Sequence, residues 1–275
     1  MYKTLAPGPV GIELPFEENA ELAAKYGFEG ITVSWDDVKR MGVETVRQIL
    51  SRNDLMPGVT GIPVNFREDD ATFARDMEEL PAFAEDISSL GCRRVATWLK
   101  PWHETLPFEE RFEQLRQRTA RICEVLSEYD MRYGLEFVGP KTSREGKPHP
   151  FIHDIDGLLE FIDAVDAENL GFLLDSWHWY TSGGTASDLE KLSDELVVAV
   201  HVNDAPAGVP CDEQLDQVRT MPGETGVIDM ETFMGALRDM NYTGPVIVEP
   251  FSERVRSLPD EEAIEETARS LERIW

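Results

Sequence analysis

Four polar side chains lie at or near the ends of the last four strand-length apolar runs: Glu136, Asp175, His201 and Glu249. Each run has the length of a β-strand, as in Val-Ile-Val before Glu249. Three carboxylates and an imidazole that lie close together repel one another or shift in pKa, unless a bound cation neutralises the carboxylates. Nitrogen and oxygen ligands without thiols favour Mn²⁺, our first expectation, with Co²⁺, Mg²⁺ and Zn²⁺ as alternatives. The pattern therefore predicts a site for one divalent metal ion.

Taken singly, any of these four residues could be a solvent-facing strand end or the N-cap of the following helix. Their position at the ends of four consecutive predicted strands favours a shared site instead. The carboxyl ends of parallel strands meet at one rim, so residues far apart in the sequence converge there.

The elements that must position these residues are strands and helices in strict alternation. Mostly continuous apolar strands indicate a sheet covered on both faces, which is typical of parallel sheets. The predicted strands are 10–14, 30–33, 58–62, 94–98, 133–137, 170–175, 197–201 and 245–249. The predicted helices are 17–26, 43–52, 71–90, 108–129, 155–165, 186–192, 230–240 and 260–275.

Eight strand–helix units in this length predict an α/β fold of the (β/α)8 TIM barrel type, formed by residues 1–275 as a single domain. A doubly wound open sheet is the alternative, but no Gly-x-Gly-x-x-Gly turn follows the first strand. The two longest insertions, 139–154 and 203–229, are βα loops, which lie at the catalytic face of such barrels.

The overall charge restricts the partners of this chain. It carries 53 acidic and 26 basic residues, a formal net charge of −27. Such a surface repels polyanions, so we expect no nucleic-acid partner. No apolar run is long enough to span a bilayer, the N-terminus lacks a signal-peptide pattern, and three scattered cysteines predict neither disulfides nor a thiolate site. We therefore expect a cytoplasmic protein without a membrane partner, and a homo-oligomer stays open.

Five segments resemble a known group of enzymes: 135–139, 174–178, 201–204, 219–229 and 246–251. They are similar to the xylose isomerase-like superfamily of TIM barrels, and most similar to its inosose (2-keto-myo-inositol) isomerase and ketose 3-epimerase branch. The similarity covers the C-terminal half in register and the N-terminal half only as an alternation of strands and helices.

This resemblance implies roles for individual residues. The family's metal ligands match Glu136, Asp175, His201 and Glu249, and its acid–base pair matches Glu136 and Glu249. Its contacts to substrate oxygens match His178 and Arg219. The implied enzyme is an isomerase or epimerase of a small keto-sugar or keto-inositol. One glutamate removes a proton next to a carbonyl, a metal-stabilised enediolate forms, and the other glutamate returns the proton.

Two tryptophans at strand ends, Trp98 and Trp177, are candidates for the walls of a sugar site, with plain core packing as the alternative.

Other functions stay open as well. The same chemistry on a related keto-sugar or keto-polyol would make the chain a lyase or dehydratase. A sugar-binding protein without catalysis would not need both Glu136 and Glu249. A nuclease resembling the AP endonucleases would need further strand-end histidines, and none of the five histidines precedes His103.

Overall fold

Parallel strands form the main sheet of the computed structural model, which describes all 275 residues. The order of its nine strands is β3-β2-β1-β11-β10-β9-β7-β5-β4. A separate antiparallel ribbon consists of β6 and β8. The strands are β1 Tyr2–Leu5, β2 Gly30–Ile31, β3 Met56–Pro57, β4 Thr60–Gly61, β5 Arg94–Trp98, β6 Trp102–His103, β7 Arg132–Glu136, β8 His149–Pro150, β9 Leu170–Asp175, β10 Val197–Val202 and β11 Pro245–Val248.

The two ends of this sheet belong to one strand. β3 pairs with β2, β4 pairs with β5, and Gly58 and Val59 alone separate β3 from β4. The broken third strand therefore closes eight strand positions into a ring. This arrangement confirms the predicted (β/α)8 TIM barrel.

Helices follow the strands and cover the outside of the ring. Their sequences place apolar residues on one face, as in α6, where Ile155, Leu158 and Phe161 are buried and Asp154 accepts a hydrogen bond from the Gly157 amide at 2.8 Å. The helices are α1 Phe16–Lys25, α2 Trp35–Met41, α3 Val43–Arg52, α4 Asp70–Ser89, α5 Phe108–Ser127, α6 Ile155–Val165, α7 Ser176–Thr181, α8 Ala186–Leu189, α9 Met230–Asp239, α10 Glu253–Arg256 and α11 Asp260–Ile274.

The predicted first strand at 10–14 is wrong. The chain there forms a short 3-10 turn, Gly8–Val10, and Gly11 has a φ of +84°. Pro7 and Pro9 lack the amide hydrogens that pairing within a sheet requires. The first barrel strand is instead β1, which pairs with β2 on one side and with β11 on the other.

The last three barrel strands, β9, β10 and β11, are the most deeply buried. All residues of β9 and β11 are buried, and so are those of β10 except His201, which is partly exposed. A backbone buried on both faces leaves the strand ends as the places where polar side chains can reach a cavity.

No helix of this chain is both long and apolar enough to cross a membrane.

The long loops at these strand ends contact one another. Thr142 Oγ1 donates a hydrogen bond to the Gln214 carbonyl at 2.7 Å, and the Lys141 ammonium lies 2.9 Å from the Asp212 carboxylate. The ribbon of β6 and β8 adds a second connection, between the loops that follow β5 and β7. These contacts build a wall around one side of the barrel mouth.

Candidate active site

The four residues predicted to share a site do converge at the carboxyl rim of the barrel. Their potential ligand atoms all lie within 4.8 Å of one another: Glu136 ends β7, Asp175 ends β9, His201 lies near the end of β10 and Glu249 directly follows β11. Parallel pairing produces this convergence, since His201 is in register with Asp175 on one side and Ile247 on the other. The strand ends therefore place a histidine between three carboxylates.

His201 faces the two glutamates with one ring nitrogen. Nδ1 lies 3.4 Å from Glu136 Oε1 and 3.3 Å from Glu249 Oε2. Both His201 Nδ1 and Glu136 Oε1 are buried, and neither forms a hydrogen bond. Buried polar atoms without a partner are costly, and one nitrogen with several oxygens at this spacing is a ligand set that divalent cations accept. The residues present therefore fit a bound divalent cation.

The charges of this cluster act against one another. Burial raises the pKa of Glu136 to about 8. Burial would lower the pKa of His201, but the neighbouring charges of Glu249 and Glu136 raise it well above its ordinary value. Burial would likewise raise the pKa of Glu249, but the positive charges of His201 and Arg219 lower it. The protein alone thus keeps one glutamate ionised more readily than the other.

Asp175 is held rigidly by its surroundings. Its Oδ1 accepts hydrogen bonds from the Trp177 amide at 2.6 Å, as N-cap of α7, and from Asn203 Nδ2 at 3.0 Å. Asn203 is itself fully buried and is oriented by Ser176, whose hydroxyl lies 3.2 Å from Asn203 Oδ1. Sequence reasoning assigned Asn203 no role, although it belongs to one of the segments that resemble the family.

Arg219, expected to contact substrate oxygens, lies among carboxylates. Its Nη1 donates to Asp175 Oδ2 at 2.9 Å and to Glu249 Oε2 at 3.1 Å, and its Nη2 donates to Asp216 Oδ1 at 3.0 Å. Burial would lower the pKa of Arg219, yet these carboxylates raise it above its ordinary value. The guanidinium therefore supplies a fixed positive charge beside the metal-ligand candidates, and it also lines the cavity described below.

His178, the other expected substrate contact, is buried and neutral. Its Nδ1 accepts a hydrogen bond from the Gly139 amide at 3.2 Å, so the neutral ring carries its proton on Nε2. That nitrogen lies 3.4 Å from Arg219 Nη2 and 3.7 Å from Glu136 Oε2. Burial lowers the pKa of His178 to about 3. An uncharged donor thus points toward the carboxylates from the first turn of α7.

A cavity of about 470 Å³ opens above these residues. Trp98 is 44% exposed and forms part of its wall. Trp177, by contrast, is fully buried outside the lining, with its ring 5.3 Å from the Arg219 guanidinium. We therefore expect Trp177 to support Arg219 rather than to touch substrate. The full lining is Trp98, Lys100, Pro101, Trp102, Glu136, Val138, Ser143, His178, Asp216, Gln217, Arg219, Glu249 and Phe251.

Several lining residues were not among the predicted site residues. Asp216, Gln217 and Ser143 come from the long βα loops, where the sequence indicated a functional face without indicating which side chains point inward.

His201 and Glu249 also border a second depression of about 440 Å³, on the side of β1 to β4. The metal-ligand candidates thus lie between two parts of the barrel mouth.

Asp204 organises the loop that carries Arg219. Its carboxylate accepts hydrogen bonds from four backbone amides, those of residues 205, 225, 226 and 228, at 2.8–2.9 Å. It forms no hydrogen bond to His201. The buried Asp204 carboxylate therefore stabilises this loop by accepting hydrogen bonds from its backbone amides.

Comparison with known proteins identifies the family of this barrel. The family model described as xylose isomerase-like TIM barrel matches residues 20–274. The chain belongs to this family. The match confirms the resemblance inferred from the five sequence segments.

Individual family members and related structures extend the comparison. An inosose isomerase of Halalkalibacterium halodurans is 24% identical over 264 residues, which cover 90% of this chain and 86% of the relative. A xylose isomerase domain protein of Alicyclobacillus acidocaldarius has a TM-score of 0.90 at 30% identity, covering 100% of this chain and 98% of the other. The IolI protein with a bound zinc atom has a TM-score of 0.84 at 20% identity, covering 99% and 97%, and it shares the fold.

Proposed function

We propose that this protein is a metal-dependent isomerase or epimerase of a small keto-sugar or keto-inositol, and that residues 1–275 act as one domain. The observation that carries this proposal is the pair of glutamates at the floor of one cavity. Glu136 and Glu249 lie on either side of His201, within 3.4 Å of its Nδ1. The similarity to a relative named inosose isomerase supports the substrate class.

In the proposed reaction, one glutamate takes the proton from the carbon next to the substrate carbonyl. The other glutamate returns a proton to the neighbouring carbon or to the opposite face. Two positioned carboxyl groups suit this exchange, because each group contributes about 10²–10⁴-fold through proton transfer in the transition state.

Glu136, Asp175, His201 and Glu249 would hold the cation. When bound, a divalent cation polarises the substrate carbonyl and stabilises negative charge on its oxygen. We favour Mn²⁺ because three of the four ligands are carboxylates. Asn203 and the Trp177 amide orient Asp175 in advance, so the ligand set loses little freedom when it binds an ion.

The remaining lining residues bind and orient the substrate. His178 offers its Nε2 proton to a substrate oxygen, and Arg219 offers its Nη2 group from the same side of the cavity. Trp98 presents an exposed ring that can pack against the C–H face of a sugar. These contacts fix which proton lies next to a glutamate.

Isotope exchange tests the proposal directly. Metal-loaded protein is incubated in D₂O with 2-keto-myo-inositol and, separately, with D-fructose, and the products are examined by NMR. We expect deuterium at the carbon that is reprotonated. Full retention of the substrate hydrogen over many turnovers would contradict proton transfer, and loss of water from the substrate would indicate the lyase alternative.

Glu136→Gln and Glu249→Gln provide the matched variants. Each keeps the shape of the side chain and one oxygen, but removes the group that exchanges the proton. Turnover and deuterium incorporation should both fall by about 10²-fold or more in either variant. Near-normal activity of Glu249→Gln would rule out the two-carboxylate scheme.

A further inference from the structure

Two lysines at the mouth of the cavity have no carboxylate partner. The chain has seven lysines, and five of them form ion pairs: Lys3, Lys25, Lys39, Lys141 and Lys191. Lys100 and Lys147 form none, although 53 acidic residues surround them in this chain. Lys100 and Lys147 are thus the two lysines without an ion pair, and both lie beside the same aromatic ring.

That ring belongs to Trp102. Lys100 Nζ lies 3.6 Å from the ring centroid and Lys147 Nζ lies 5.0 Å from it. Trp102 belongs to β6 and pairs with Pro150 in β8, so the aromatic platform is fixed by a ribbon rather than by a free loop. Cation–π contact stabilises each ammonium by about 0.5–1 kcal/mol at an exposed site and leaves its N–H donors free.

Lys100 connects this platform to the catalytic residues. It follows β5 by two positions and lines the same cavity as Glu136 and Glu249. Trp102 also lines that cavity, whereas Lys147 is an exposed residue of the neighbouring loop. Lys100 therefore shares the cavity with the glutamates and Arg219, and Lys147 lies beside it at the Trp102 ring.

The charge of the whole protein makes this arrangement informative. A net charge of −27 and the lining carboxylates Glu136, Asp216 and Glu249 repel an anion. A neutral sugar carries no charge and is not repelled. A substrate with an acidic group needs local positive charge at the point where that group lies.

We propose that Lys100 and Lys147 bind an anionic group at the end of the substrate remote from the reacting carbons. The substrate class is then a keto-sugar or keto-polyol that carries a carboxylate or a phosphate. This inference rests on the proposed function and narrows it.

Calorimetric titration of the metal-saturated protein tests the inference with three ligands. D-fructose is neutral, D-fructuronate carries a carboxylate at C6 and D-fructose 6-phosphate carries a phosphate there. We expect at least one of the two anions to bind 10-fold or more tightly than D-fructose. The stronger of the two identifies the anionic group.

Two lysine variants and a control complete the experiment. Lys100→Gln should weaken binding of the preferred anion by about 10-fold and change the affinity for D-fructose by less than twofold. Lys147→Gln should act in the same direction. Lys191→Gln is the matched control, because Lys191 pairs with Asp156 and Asp188 and does not line the cavity.

Two results would overturn the inference alone. One is equal or weaker binding of both anions relative to D-fructose, and another is an equal loss of affinity for all ligands in Lys100→Gln. If deuterium exchange occurs in either case, the proposed function stands and the inference alone fails. Absence of binding together with absence of exchange would overturn both.

Discussion

The buried amide of Asn203 provides the sharpest test of how the ligand set is held. Asn203→Ala removes the hydrogen bonds that Nδ2 donates to Asp175 Oδ1 at 3.0 Å and to the Glu249 carbonyl at 3.3 Å, but it leaves the Trp177 amide at 2.6 Å from Asp175. A hydrogen bond to a charged group contributes about 1.5–3 kcal/mol, so we expect a loss of about 2 kcal/mol in the free energy of unfolding. For a chain of this size, that loss lowers the melting temperature by about 3–4 °C.

The effect on metal binding should be larger than a general loss of stability explains. Residues that orient a ligand change metal affinity by about 10–100-fold, and the remaining Trp177 contact places Asn203→Ala near the lower value, about 10-fold. Calorimetric titration of Mn²⁺ into the metal-free protein measures this affinity, and thermal unfolding of the same samples measures the stability.

Asn169→Ala is the matched control for this experiment. Asn169 Nδ2 also donates two hydrogen bonds, to the Cys123 and Met131 carbonyls at 3.0 and 2.9 Å, but it precedes β9 at the opposite end of the barrel. It should lower the melting temperature and leave the metal affinity unchanged. An Mn²⁺ affinity of Asn203→Ala within twofold of the parent protein would refute the reasoning.

Three further predictions concern the cation, His178 and Arg67. Chelation should abolish turnover and lower the melting temperature in calorimetry, because an ion held at 100 times its Kd stabilises the folded chain by about 2.7 kcal/mol; an unchanged melting temperature contradicts this. Since burial lowers the pKa of His178 from 6.5 to about 3, its contribution to stability is present above pH 6.5 and is lost as the pH falls toward 3. Between pH 7 and 5, urea unfolding of metal-free His178→Asn should therefore lose less stability than the parent protein, by up to roughly 2 kcal/mol; equal losses argue against a neutral buried ring. Arg67 donates to the Trp98 carbonyl at 2.6 Å and lies 4.4 Å above the Trp98 ring, so Arg67→Gln should raise KM several-fold with little change in kcat, and steady-state kinetics that show the reverse would contradict this positioning role.

The local pattern of apolar residues was sufficient to predict most strands of the barrel. Runs such as 170–175 and 197–201 are apolar on both faces, which the interior of a parallel barrel requires, and the structure has strands at Leu170–Asp175 and Val197–Val202. The failure at 10–14 has a local cause as well. Val10 and Ile12 are buried, but the prolines at positions 7 and 9 prevent pairing within the sheet. β1 carries too few apolar residues to be recognised as a strand.

The sequence by itself determined the residue types at the strand ends, and hence the convergence of Glu136, Asp175, His201 and Glu249 once a parallel barrel was assumed. It did not determine what surrounds them. The contact of Arg219 with Asp175 spans 44 positions, and the burial of Trp177 depends on packing that the pattern around it does not reveal. Strand placement follows from hydrophobicity and hydrogen-bonding capacity, which are properties of short segments. Side-chain direction, burial and charge pairing depend on how separate loops pack, and therefore only the tertiary structure decided them.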